Sequence, residues 1–281
     1  MKKHFSTILL VLVFLVGLSV MLYPTVSDAV NRAHQTRAVV DYEHSVQDME
    51  EKDYFQWFSK AESYNLALAS DPEMLYRPSE LPDYSGTLDV TGTGIMGYLS
   101  IPKINVSLPI YHGTEESVLQ IAVGHLEGSS FPIGGKSTHA VLSAHRGLPS
   151  ARLFTDLDKL EIGDTFEITV LNRVLTYEVD NISIVLPEEA EGLLVQQGKD
   201  LVTLMTCTPY GINSHRLLVR GRRIENGERI HKVNVTSEAV KLDPVLIAPI
   251  LAAPLLLVLL IWLILPGKRK KKGGSPNEDI L

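Results

Sequence analysis

The chain has 281 residues, 45% of them hydrophobic and 21% charged, with a single cysteine, Cys207, and a formal net charge of −7. That apolar content excludes a disordered chain. One thiol excludes an intrachain disulfide or a cysteine-rich metal cluster, and the acidic balance offers no footing for general nucleic-acid binding. The basic residues are unevenly spread: Lys2 and Lys3 stand at one end and the run Lys268-Arg269-Lys270-Lys271-Lys272 at the other, so the long middle is more acidic than the average.

Phe5 to Tyr23 contains no charge. A basic start, this apolar run, and the small residues Ser27 and Ala29 match a signal peptide that is removed. The run also exceeds the usual signal core of about 7–15 residues, which matches an uncleaved anchor. Either reading makes residues 1–29 a basic start with a signal or anchor helix, and places the next segment outside the cytoplasm. Exported proteins commonly use disulfides, so a lone thiol there needs another explanation.

Residues 30–93 form a helical region followed by an irregular one. Asp41 to Ala69 lacks Pro and Gly and is rich in helix formers. Val46, Met49, Tyr54, Trp57, Phe58 and Ala61 recur at spacings that share a helix face. Ser70 to Ser85 holds Pro72, Pro78 and Pro82 and is expected to be irregular. From Gly97 the period changes. The runs GYLSI, SLPIYH, HAVLSAH, TFEITVLN, VLTYEVDNISIVL, LVTLMTC, RLLVRGRR and RIHKVNV alternate with turns, among them Asn226-Gly227. Such spacing predicts a sandwich or barrel over residues 94–238. Val245 to Leu265 is again uncharged and has the length of a bilayer span. Its Pro249 and Pro254 are tolerable in a membrane helix. The basic tail, residues 266–281, marks the cytoplasmic side.

Cys207 closes the run LVTLMTC, before Thr208-Pro209-Tyr210-Gly211. Strand ends are where reactive groups meet solvent, although a cysteine is more often a small core residue. His145 ends another strand, in Leu142-Ser143-Ala144-His145-Arg146-Gly147. An imidazolium brought near in space favours the thiolate needed for attack. A hydrogen-bonded histidine beside a turn is the plainer alternative. Arg216 opens the strand after the Cys207 loop, so a hairpin-like return sets it beside Cys207. There a guanidinium can hold a carbonyl or a developing oxyanion. The plainer alternative is a salt bridge, the role expected of Arg220, Arg222 and Arg223.

The segments TLMTCTPYGINSHRLLVRG (Thr203 to Gly221) and LSAHRG (Leu142 to Gly147), with GIMGYLSIPKINVSLPIYHGT (Gly94 to Thr114), resemble the sortases, cysteine transpeptidases of the Gram-positive cell surface. The Thr-Cys-Thr-Pro run and the C-terminal apolar segment with its basic tail look like the class C, pilin-polymerising branch. The resemblance implies an eight-stranded β-barrel with short helices, an N-terminal helical region and flanking transmembrane helices. It implies Cys207 as nucleophile, with His145 and Arg216 as its catalytic partners. It further implies cleavage of an LPxTG-like sorting signal between Thr and Gly, a thioacyl intermediate, and transfer to a lysine of another pilin subunit at the membrane. No cofactor or metal is implied, because the thioester conserves the energy of the peptide bond. Relatives that anchor proteins to lipid II or peptidoglycan, and a cysteine peptidase using water, share the first half of this chemistry. Class C sortases often cover the cleft with a lid built on Asp-Pro-aromatic. Here Asp71 and Pro72 are followed by Glu73 and Met74, so Asp71, Pro72 and Met74 mark an expected lid that departs from the motif, with Met74, Leu75 or Tyr76 left to cover the cysteine.

Overall fold

A computed structural model describes residues 2–81 and 83–225. The predicted strand Arg229 to Val235, the Asn226-Gly227 turn, the apolar run Val245 to Leu265 and the basic tail lie outside the described residues. The N-terminal apolar run is helical, and its helix continues far beyond it: α1 spans Lys2–Gln47 with Pro24 inside. By length and composition α1 is apolar enough to cross a membrane or to act as a signal. The described residues up to Tyr23 belong to one compact unit and the described residues from Pro24 to another. All contacts described below lie within the second.

The single helix predicted over Asp41 to Ala69 is divided. α1 ends at Gln47, and α2 covers Glu51–Ser70. Glu50 between them has extended backbone, and its N–H donates to the Asp53 carboxylate at 3.1 Å. That reach-back contact starts a new helix. Phe58, Ala61, Tyr64 and Leu68 form the buried face of α2, the stripe that helical periodicity demands. Val46 is buried too, while Met49, Tyr54 and Trp57 pack at the core margin. The proline-rich segment that follows is two short 3-10 turns, Pro72–Tyr76 and Pro78–Glu80.

Eight strands then close into a barrel in the order β1-β2-β3-β4-β7-β8-β6-β5. They are β1 Ile95–Ile101, β2 Val106–His112, β3 Val123–His125, β4 Thr138–Ser143, β5 Thr165–Val170, β6 Arg173–Val185, β7 Asp200–Thr208 and β8 His215–Arg223. Strand β3 was not among the predicted runs; three residues, Val-Gly-His, are too few to show a period. Inward side chains make the core, and alternation follows from the strand geometry: Val202 and Leu204 on β7 and Leu217 and Val219 on β8 are buried among Leu99, Ile110 and Leu142. Phe166 and Tyr177 are register partners whose rings stack at 5.7 Å. Strands β4 and β7 run parallel, with Ser143 level with Met205. Both therefore finish at the same rim, where β8 begins.

Candidate active site

At that rim the register sets Cys207 directly across from Arg216 in the antiparallel β7–β8 pair. Opposed residues in such a pair have Cβ atoms about 4.5–5.5 Å apart and share one face. The hairpin-like return read from the sequence is thus the observed one. Cys207 is a free, half-buried thiol with no hydrogen-bond partner among the described residues. Arg216 donates to the Asn213 and His215 carbonyls at 3.3 and 3.2 Å. It has no carboxylate partner among the described residues, unlike Arg220 and Arg222. Arg220 grips Asp180 through two bonds of 2.9 and 3.1 Å, and Arg222 pairs with Glu178 at 2.7 Å. Arg223 stands 5.7 Å from the Tyr177 ring. Of the arginines on β8, Arg216 is the one set opposite the thiol, with no carboxylate partner among the described residues.

His145 follows the end of β4. Its height is fixed by Thr206, whose hydroxyl donates to the Ala144 carbonyl at 2.8 Å, and by the Ala144 N–H bonded to the Met205 carbonyl at 3.2 Å. The residue after Thr206 is Cys207, so β4 delivers His145 to the level of the thiol. The imidazole itself is engaged elsewhere: its Nε2 lies 3.1 Å from a Glu116 oxygen. Glu116 opens α3, Glu116–Leu119. Its carboxyl is held below the ordinary range by the Gln120 amide first and by His145 second. The sequence carried no signal linking Glu116 to His145, because the pair is distant in the chain and neither motif includes the other.

Other histidines are occupied as structural groups. His125 is buried, with Nδ1 3.0 Å from the Tyr84 hydroxyl and Nε2 2.8 Å from the Ser130 carbonyl. Burial pulls its pKa down to about 3. His139 sits between the Leu194 carbonyl and the Thr203 hydroxyl at 3.0 and 2.8 Å, and burial lowers it to about 4. His112 spans the Gly94 and Thr87 carbonyls. The enclosed rings of His125 and His139 cannot reach a substrate.

The expected lid segment is ordered by its own ion pairs. Asp71 caps the first 3-10 turn by accepting from the Glu73 N–H and pairs with Arg77 at 2.8 Å, while Arg77 also holds Glu80 at 2.7 Å. Leu75 packs against the outer-face cluster of Val141, Leu193 and Leu218, with Met205 beside it. Met205 lies two residues before Cys207, on the same face of β7. A Cβ on Gly128 would fall 2.8 Å from the Leu75 carbonyl, so glycine is what lets the segment lie this close. Leu75, rather than Met74, is therefore the side chain seated on the outer face. A cleft of about 300 Å³ lies between the end of α1, Tyr54, Tyr98 and Asn172, and another of about 310 Å³ lies along α2 beside Asn172 and Arg173. Neither is lined by Cys207, His145 or Arg216.

A half-buried thiol facing an uncompensated guanidinium, with an imidazole at the same rim, can attack a carbonyl, stabilise the oxyanion and move a proton. A sortase domain model matches residues 99–224. The chain is 51% identical to a crystal structure of sortase C1 from Streptococcus agalactiae, with a TM-score of 0.62, covering 68% of this chain and 99% of that one. A sortase C of Streptococcus pneumoniae, described in terms of catalysis and pilin substrate specificity, is 42% identical with a TM-score of 0.58, covering 67% of this chain and 96% of that one. Sortase D of Bacillus subtilis is 33% identical over 131 residues, a match that spans 46% of this chain and 63% of that protein.

Proposed function

Since this chain belongs to the sortase family, we propose that it is a membrane-anchored cysteine transpeptidase that joins pilin subunits through LPxTG-like sorting signals. In this reading Cys207 Sγ attacks the threonine carbonyl of the Thr–Gly bond, its thiol proton passing to His145. Arg216 donates to the oxygen on which charge develops. The C–N bond then breaks, and the glycine-bearing tail departs as an amine, taking its proton from His145. The thioester so formed is attacked by a lysine amine of another pilin. That amine's proton returns to His145, the C–S bond breaks, and an amide replaces the thioester. The catalytic domain stands on the extracellular face, tethered by α1 and by the predicted C-terminal helix, whose basic tail is cytoplasmic.

The observation that carries this reading is the register pair of Cys207 with Arg216, which has no acidic partner among the described residues. The similarity to sortase C proteins supports the pilin branch. Closure of the cleft by Asp71 to Pro82 belongs to the same proposal, with Leu75 as the covering residue.

The test is to incubate the full chain in detergent with a recombinant pilin bearing its sorting signal. Mass spectrometry is expected to find an acyl group on Cys207 and none in Cys207→Ala. Covalent pilin ladders are expected to vanish when the acceptor lysine is removed. Ladders that persist would contradict the pilin assignment, and an unmodified Cys207 would sink the transpeptidase.

A further inference from the structure

His145 has two ring nitrogens, and the fold engages only one of them: Nε2 faces Glu116 at 3.1 Å, while Nδ1 has no partner among the described residues. We infer that Glu116 is a positioning residue for His145, holding Nε2 so that Nδ1 is the atom that exchanges the proton in each half-reaction. The inference rests on the transpeptidase reading above and adds an atom and a residue to it.

Glu116 is not a stray surface carboxylate. Its other oxygen accepts from the Gln120 side chain at 3.0 Å, one helical turn on, so the free oxygen has a set direction. Helix α3 is itself fixed against the barrel. A Cβ on Gly124 of β3 would lie 2.3 Å from the Gly113 carbonyl and 3.0 Å from Leu119, so only glycine permits α3 to seat this tightly. Gln35 of α1, 8% exposed, donates to the Ile121 carbonyl at the end of the α3 segment at 2.7 Å. The His145 side is fixed as firmly. The Phe154 N–H donates to the His145 carbonyl at 3.1 Å, and Arg146 is paired with Asp158. α1 grips this loop as well, through Asn31 to the Ser150 carbonyl at 2.8 Å and through Asp28, which accepts from the Arg152 N–H at 2.9 Å. One helix thus braces both partners of the pair.

A hydrogen bond at one imidazole nitrogen dictates what the other can do. With Nε2–H donated to Glu116, the imidazolium releases its Nδ1 proton to the leaving amine. The neutral ring, still donating from Nε2, then accepts a proton at Nδ1 from the incoming lysine amine. Glu116 takes no proton in either step. Glu116 on α3 is the carboxylate within hydrogen-bonding distance of the ring, and Arg146, next to His145 in the chain, is paired with Asp158. Arg146 is neutralised by its own partner, which leaves Glu116 as the carboxylate aimed at the ring. An exposed contact of this kind adds little to folding stability, so its removal is expected to leave the protein folded.

The test uses the full chain in detergent micelles with ¹⁵N-labelled histidine, the His145 signals being identified by their loss in His145→Asn. Long-range proton–nitrogen spectra are expected to show the neutral ring with its proton on Nε2. In Glu116→Ala they are expected to show a mixture of tautomers, with the melting temperature unchanged. In parallel, kcat for peptide transfer is expected to fall about tenfold in Glu116→Ala with KM within about twofold, a part of what general acid–base catalysis contributes. Glu116→Gln, which keeps an accepting oxygen, is expected to restore most of both signals. Identical spectra in wild type and Glu116→Ala, or a kcat within twofold of wild type, would overturn the inference. A wild-type protein that forms no acyl-enzyme would sink the transpeptidase reading instead, while the spectra would still decide whether Glu116 holds the ring.

Discussion

On the inner face of β7 and β8, Val202, Leu204, Leu217 and Val219 are shut away from water, whereas the outer face presents Met205, Cys207, Arg216 and Leu218. One hairpin therefore serves two purposes by strand alternation alone. Its inner residues close the barrel core, and its outer residues carry the groups of the proposed reaction. The same division separates the histidines. His125 and His139 are enclosed and held neutral by burial, while His145, one quarter exposed, stands at the rim with a carboxylate at one nitrogen. Residue type decides little here; the face of the sheet decides which group can react.

Substitutions on the two faces are expected to have opposite signatures. The largest effect belongs to Arg216→Ala, which removes the proposed oxyanion donor and is expected to lower kcat about 10²–10³-fold. Its melting temperature should stay near wild type, since Arg216 has no carboxylate partner among the described residues. Steady-state kinetics with a sorting-signal peptide, run beside calorimetry, would check both halves. A loss of stability matching the loss of rate would erase the contrast between faces. On the inner face, Leu204→Ala is expected to cost about 2–5 kcal/mol of stability through the cavity it leaves. Denaturant unfolding measures that cost, and kcat of the still-folded fraction should hardly change.

The buried histidines sharpen the comparison through pH. Their folded-state pKa values lie below the unfolded value near 6.5, so the unfolded chain binds protons that the folded chain refuses. Stability is then complete above about pH 6.5 and falls as the pH drops toward the folded values of about 4 for His139 and about 3 for His125. Each ring is expected to add about 1.4 kcal/mol per pH unit to that fall. Unfolding curves from pH 7 to 5 would reveal it, and His139→Gln should flatten the slope by its share. The smallest expected effect concerns the cover. Leu75→Ala, or deletion of Asp71 to Pro82, is expected to raise the rate of Cys207 alkylation severalfold. An unchanged labelling rate would mean that the segment does not shield the thiol.

Much of this organisation was legible in the residues. Seven of the observed strands coincide with alternating runs read from the sequence, because a period of two is a local property. The Cys207–Arg216 pair was legible for a similar reason: a short turn between two strands leaves few registers. His145 came from its motif and its place at a strand end. Other features were hidden. The three residues of β3 carry no period, and the break between α1 and α2 depends on how Asp53 bonds back to Glu50.

The amino-acid sequence by itself determined the chemistry available: one thiol, one motif histidine, one arginine across a turn, and an apolar segment at each end. It could do so because nucleophilicity, charge and alternation belong to residues and their near neighbours. Only the tertiary structure decided which groups were free to use that chemistry. It enclosed His125 and His139, neutralised Arg220 and Arg222 with acidic partners while sparing Arg216, seated Leu75 on the outer face, and brought Glu116 to His145. Each of those outcomes depends on contacts between segments distant in the chain. Closure of the barrel, with the packing of α1 and α3 against it, is what makes those contacts.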